Sequence, residues 1–531
     1  MPPVGDTTKG MLDDSKTVPG TAPLRRLTLF EYKNTVRDLL GITAEQVDIK
    51  GFSGDQDSAL SGYYRGGALT TANDARNFSG SAESLATIAQ GKLGSLLPCS
   101  PVPTADGEQE ACVGKFIAQF GLRAFRRPVA KTESDALMGL YKTLRTGDAG
   151  ASFERSIGLM VSAILQSPMF LYHWELGPNA PIKDGNLIRF NNYEIASRVS
   201  YLLWGSMPDD KLFEAAGKGE LSSPEQIAAQ ARRLLGDERA TDAIGDFHAQ
   251  WLSIDGVEDM PKNPETFKVF TKELSHAMAV ETREFVKSVF TGPGATGSLE
   301  ALFTSNKTTV TPELAKLYGA TGSGNVTLDP AQRAGLFTQG AFLATKADAD
   351  DSHPVKRGVT LLERVLCTEL TPPQGVLIPP VADSSPDKTT RERFAMHSQG
   401  SCAACHAMID PLGFAFENYD AVGAYRMVEN GKPVDASGAL KIGSLDVKFK
   451  NAIELLPALA KAPEAQACMA TQWMRYGLRR HEAQGTDEKP SLDALLQTFK
   501  DKNFDMRELI VAVTKTRSFT HRTLSAGEVA Q

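Results

Sequence analysis

Residues 402–406 read Cys-Ala-Ala-Cys-His, so two of the chain's six cysteines and one of its eight histidines fall in five consecutive positions. This spacing serves covalent attachment of a c-type haem, in which both thiols add to vinyl groups and the adjacent histidine binds iron. One turn of chain sets the sulfurs at the separation of the vinyls and projects the imidazole under the ring. A zinc site would want a second ligand pair, but Cys99, Cys112, Cys367 and Cys468 form no second Cys-x-x-Cys. A thioredoxin-like pair would lie between a strand and a helix, whereas Gly, Pro and helical periodicity surround this motif. One covalent haem c is the expected cofactor, held by Cys402 and Cys405, with His406 as the proximal iron ligand.

The rest of the chain reads as helix. In 26–40, Leu29, Tyr32, Val36, Leu39 and Leu40 share one helical face, and Gly41 follows as a stop. Ile157, Met160, Val161, Ile164 and Leu165 repeat the pattern more strongly and mark a core helix. Further amphipathic helices are expected from Asn192, after Ser223 with Pro224 in the first turn, and over 264–290. Strand signals are few, the best being one hairpin in 432–449.

The fold class is therefore mainly α: a multi-module helical protein with a cytochrome c-like haem module near the C-terminus and at most a small β-hairpin. Periodicity fails around 93–108, 176–187, 291–298, 320–330 and in the Pro-rich 371–387, which read as linkers. The expected organisation is a flexible segment at 1–21 and helical modules at 22–97 and 98–176. A central module follows at 187–255, a connecting region at 256–345, the haem module at 346–430 and a C-terminal helical module at 431–531. No repeat of fixed period is present.

A net charge of −7 on 531 residues, with no basic run longer than a pair such as Arg479-Arg480, excludes a nucleic acid partner. No apolar window is long enough to span a membrane, and the polar opening has no signal-peptide pattern, so an exported protein would already have lost its leader. Covalent haem c is assembled outside the cytoplasm, where disulfides are permitted. Of the three pairings of the four remaining cysteines, Cys99 with Cys112 is favoured because it closes the loop ahead of an apolar helix. That leaves Cys367 with Cys468.

The run 402–426, CAACHAMIDPLGFAFENYDAVGAYR, resembles the haem module of large secreted proteins of planctomycetes and myxobacteria, which carry a train of domains of unassigned function around one cytochrome c motif. The stretches 22–41, 120–129 with 162–175, and 193–216 with 247–252 are similar to that family's opening, second and central modules. The stretch 353–367 resembles the start of its haem module, and 434–440 with 468–480 its last one. The resemblance implies a periplasmic or extracellular location and a haem c. It also implies an origin in bacteria that degrade complex polymers, but no settled reaction.

The iron's sixth position decides between carrier and enzyme. Met469 and Met474 are candidate distal ligands on a C-terminal helix, with His353 and His397 as alternatives. Arg357 and Arg426 flank the module and are expected to bind haem propionates. Asp410, before Pro411, reads most simply as a turn former, although it, Glu417 or Asp420 could orient His406. The acidic run 348–352, DADDS, matches no complete ion-binding loop and reads as solvated surface.

The expected function is that of an exported single-haem redox protein. It moves electrons to a redox partner protein or a small oxidant, or serves as the centre of a peroxidase-like or polymer-oxidising enzyme. The competing reading is a surface-binding scaffold with a structural or electron-inlet haem.

Overall fold

The computed structural model describes residues 14–22, 24–57, 63–65, 71–146, 150–177, 183–184, 187–292, 294–370, 387–482, 487–525 and 528. The Pro-rich linker at 371–386 and the first 13 residues lie outside that set. The fold is mainly α, 58% helical with 9% strand. Two compact units form, each gathered from separate stretches.

One, the N-terminal unit, comprises Leu12–Ala243, Arg475–Ser491 and Val511–Gln531. Its Leu29–Leu40 helix starts at a capping box, in which Thr28 accepts from Glu31 N and the Glu31 carboxylate accepts from Thr28 N, and stops at left-handed Gly41. Tyr32, Val36, Leu39 and Leu40 are buried, as the periodicity predicts. The Phe153–Gln166 helix lays its apolar stripe against Ala72–Gln90. That crossing is close enough to require a glycine, because a Cβ on Gly158 would sit 2.8 Å from the Ala86 carbonyl oxygen. Cys99 and Cys112 are joined, their Cα atoms 5.9 Å apart, which ties the incoming loop to the Asp106–Phe125 helix. Near the chain's end, His521–Thr523 pairs antiparallel with Leu187–Arg189.

The other, the motif unit, comprises Ile244–Met474 and Leu492–Ile510. Here the helix expected over 264–290 begins later, at Lys272–Phe290, because Thr271 accepts from Leu274 N and caps it there. Gly438–Ile442 and Leu445–Phe449 make the expected hairpin. A second hairpin pairs Lys307–Val310 with Gly324–Thr327, so 320–330 is not a plain linker. These strands of four residues, in the sequences KTTV and GNVT, are too short to show alternation. The Pro354–Thr360 helix runs on through a π turn, Leu361–Val365, to Cys367, which is joined to Cys468 with a Cα separation of 5.3 Å. On the Pro463–Leu478 helix, which carries Cys468, Trp473 stacks on Phe247 at 3.7 Å.

Candidate functional site

Left-handed Gly400 (φ 59°) opens a single 3-10 turn, Gly400–Cys402, and the chain passes directly into the Ala403–Phe414 helix. Cys402, Cys405 and His406 therefore occupy positions i, i+3 and i+4, which lie on one helical face. Both thiols are free and half-buried, whereas the other four cysteines are bridged. Among the described residues, no group of three His, Cys, Asp or Glu side chains is arranged to hold a metal ion, so these three do not converge as a zinc site would need.

One turn further on, Asp410 Oδ1 lies 2.7 Å from His406 Nδ1. Its other oxygen accepts from Ser398 Oγ at 2.6 Å, and Asp410 is only 7% exposed. Asp410 is thus no turn former. It sits inside the helix and orients the imidazole, placing the proton on Nδ1 and making Nε2 the lone-pair nitrogen. The i,i+4 spacing of His406 and Asp410 was visible in the sequence as a signal for this contact.

The helix is held from behind by a crossing of backbone on backbone. A Cβ on Gly358 would collide with the Ile409 carbonyl, and one on Gly413 with the Pro354 carbonyl, so Pro354–Thr360 and the motif helix touch without side chains between them. The Gly438–Ile442 strand covers another side.

Arg357, fully buried, donates to the carbonyls of Phe416 (2.9 Å), Tyr419 (3.0 Å), Asp420 (2.8 Å) and Leu343 (3.3 Å). Three of these bonds fix the chain that leaves the motif helix and the fourth holds the Gly340–Thr345 helix, while Glu417 lies 3.5 Å away. Arg426 pairs with Glu417 and Glu429, both at 3.0 Å, and donates to Ser352 Oγ at 3.1 Å. The propionate role expected of both arginines gives way to this network. Burial pushes the Glu417 carboxyl up from its ordinary value, against the pull of Arg357 and Arg426. Asp420 Oδ1 accepts from Val422 N and Ala424 N and closes a turn. The run 348–352 is not simply solvated surface: Asp351 pairs with Arg393, and Ser352, 1% exposed, donates to Glu417 at 2.8 Å.

His353 caps the Pro354–Thr360 helix, its Nδ1 accepting from Lys356 N at 3.2 Å, and burial pushes its imidazole down to about 4. His397 lies on the Ala395–Ser398 turn, and its side chain is outside the described residues. Met469 and Met474 are buried in the Pro463–Leu478 helix, which is not a principal neighbour of the motif helix.

Five stretches match families whose members are described as proteins of unknown function: DUF1587 over 25–85, DUF1595 over 112–175, DUF1592 over 190–320, DUF1588 over 333–429 and DUF1585 over 446–519. The DUF1588 stretch contains the motif helix. The chain is similar to these families in that order along its length. No curated protein and no solved structure matches it.

Proposed function

We propose that the chain carries one haem c, joined through Cys402 and Cys405 and ligated by His406, and that it works outside the cytoplasm as an electron-transfer centre. The observation that carries this reading is the shared face of Cys402, Cys405 and His406, with both thiols free in a chain whose other cysteines are all bridged. Attachment adds each S–H across a vinyl double bond: a C–S bond forms, the thiol hydrogen goes to carbon, and no oxidant is needed. The residues fit the group, since Asp410 and Ser398 hold His406 in the tautomer that offers Nε2. When bound, the haem supplies an iron that gains or loses one electron.

Export is supported by the two disulfides. No helix among the described residues is long and apolar enough to cross a membrane. A single-haem carrier needs roughly 100 residues, and this chain has 531. The surplus favours an oxidoreductase whose iron is reached by a small oxidant or a polymer-derived substrate over a bare carrier. A haem-stained denaturing gel tests attachment: the wild type should stain, and the Cys402→Ala, Cys405→Ala double variant should not. Staining that persists in the double variant overturns the reading. A fully low-spin haem inert to carbon monoxide and peroxide would leave only the carrier.

A further inference from the structure

Within the N-terminal unit, three stretches, 125–127, 173–177 and 191–197, wall a cleft with an interior volume of about 190 Å³. One water-sized atom takes on the order of 10–15 Å³ by the same measure, so the cleft holds roughly a dozen or more, the size of one sugar ring with its hydroxyls. The charged side chains of the wall are engaged within the protein. Arg127 and Glu133 pair through two bonds, at 2.7 and 2.9 Å, and Glu175 pairs with Arg198 at 2.7 Å. Glu194 accepts from Gly177 N and Asn191 N, both at 2.8 Å. Arg126 donates to the carbonyls of Phe170, Met169 and Tyr172, and His173 Nε2 meets Glu31 at 3.2 Å.

What the wall leaves open is neutral. Among the described residues nothing bonds Ser197 Oγ, the Tyr193 hydroxyl or Asn191 Nδ2, and these three half-buried side chains keep those atoms accessible to solvent. Asn191 Oδ1 accepts from Tyr193 N and Glu194 N, both at 3.0 Å, which fixes the amide and leaves Nδ2 free to donate. Two aromatic rings are open as well. Neither Trp174 nor Tyr193 stacks on another ring of the described residues, and the indole is held in place by its Nε1, which donates to the Pro168 carbonyl at 2.9 Å. Leu176, 63% exposed, adds apolar surface to the same wall.

We propose that this cleft binds one neutral sugar ring, free or as part of a glycan, with an apolar ring face on Trp174 and its hydroxyls bonded to Ser197, Tyr193 and Asn191. A sugar hydroxyl both donates and accepts, so it suits a serine, a phenol and an amide donor alike, while the ring's C–H groups pack on an aromatic face. A charged ligand would need a counter-charge, and those on the wall are already paired. A purely apolar ligand would strand three polar groups away from water.

Calorimetric titration of the full chain with the methyl glycosides of glucose, galactose and mannose and with cellotetraose tests this, with glucuronate and protonated glucosamine as charged analogues. At least one neutral sugar should bind saturably at one site, and the charged analogues more weakly. Binding of a methyl glycoside shows that a single ring suffices, and binding of cellotetraose alone identifies a glycan. Ser197→Ala should weaken the binding about fivefold, the loss of one neutral hydrogen bond. Trp174→Ala should weaken it further, with melting curves showing that both variants are folded. Trp204, Trp251 and Trp473 are buried and Trp174 is not, so tryptophan emission of the wild type should shift on binding. No saturable binding of any of these neutral sugars would mean that water fills the cleft. Charged analogues that bind as tightly, an emission that does not shift, or wild-type affinity in both variants would place the ligand elsewhere. Each of these overturns the proposal.

Discussion

Asp410 and His406 sit one helical turn apart, joined by a 2.7 Å contact between Oδ1 and Nδ1, with Ser398 holding the carboxylate's other oxygen. A carboxylate on the outer nitrogen makes the imidazole a stronger electron donor toward a metal on Nε2. With haem attached, Asp410→Asn should raise the midpoint potential, and Ser398→Ala should raise it less. A redox titration followed by absorbance reads both. A potential unmoved in Asp410→Asn would reduce the contact to a packing detail.

The two glycines at the helix crossing predict a steric cost. Alanine at Gly358 or Gly413 meets carbonyls of the opposite backbone, which cannot yield as a flexible side chain can. Each change should destabilise by about 1–3 kcal/mol or more in denaturant unfolding. Gly139, exposed within the Lys131–Thr146 helix with nothing near its would-be Cβ, is the contrast. Gly139→Ala should stabilise by about 0.5–1 kcal/mol. Equal effects at 139 and 413 would mean that the crossing is looser than described.

The helices were legible because their signals are local. Thr28 with Glu31, and Ser223 with Pro224, announce their starts, and the apolar stripe of 157–165 names its buried face. The pairing of Cys99 with Cys112 could be read for a similar reason, since a short loop keeps two thiols within reach, and Cys367 with Cys468 followed by elimination. Arg357 could not be read. Its partners are four backbone carbonyls, which leave no mark in side-chain identity, so an arginine beside a haem motif looked like a propionate ligand. The acidic run 348–352 misled for a related reason: the arginine that meets Asp351 lies 42 residues away. Met469 and Met474 lie on a helix anchored by the stacking of Trp473 on Phe247 and by the Cys367–Cys468 bridge, two long-range contacts that spacing along the chain does not reveal.

The two disulfides should differ in what they contribute. Cys99 and Cys112 are 13 residues apart and Cys367 and Cys468 are 101 apart. Chain entropy assigns about 3 kcal/mol to a loop near the first length and about 4–5 kcal/mol to one near the second. Paired Cys→Ser variants, unfolded in denaturant without reductant, should therefore show the larger loss for Cys367 and Cys468. A larger loss from the short loop would mean that native contacts, rather than closure of the unfolded chain, set the order.

Two buried groups of the motif unit should give opposite pH dependences. His248 is fully buried among Phe247, Trp251, Phe290 and Trp473, its Nδ1 donates to the Ile244 carbonyl, and burial pushes it down to about 4. The unfolded chain takes this proton near pH 6.5, so the neutral ring's contribution is complete above 6.5 and is lost as pH falls through 4. Glu281 runs the other way. It accepts from Tyr318 Oη at 2.7 Å and Thr308 Oγ1 at 3.0 Å, and burial pushes it up to about 7. Its protonated form stabilises fully below 4.5, and that contribution is lost as pH rises through 7. Between pH 4.5 and 7 the two nearly cancel, each worth roughly 3 kcal/mol across its window. His248→Phe should therefore leave a unit whose stability falls with rising pH, and Glu281→Gln one whose stability rises. All other titrating groups are common to the two variants, so unfolding free energies measured at pH 4.5, 5.5 and 7 should diverge in slope. Parallel profiles would show that neither group is held in the protonation state that its burial dictates.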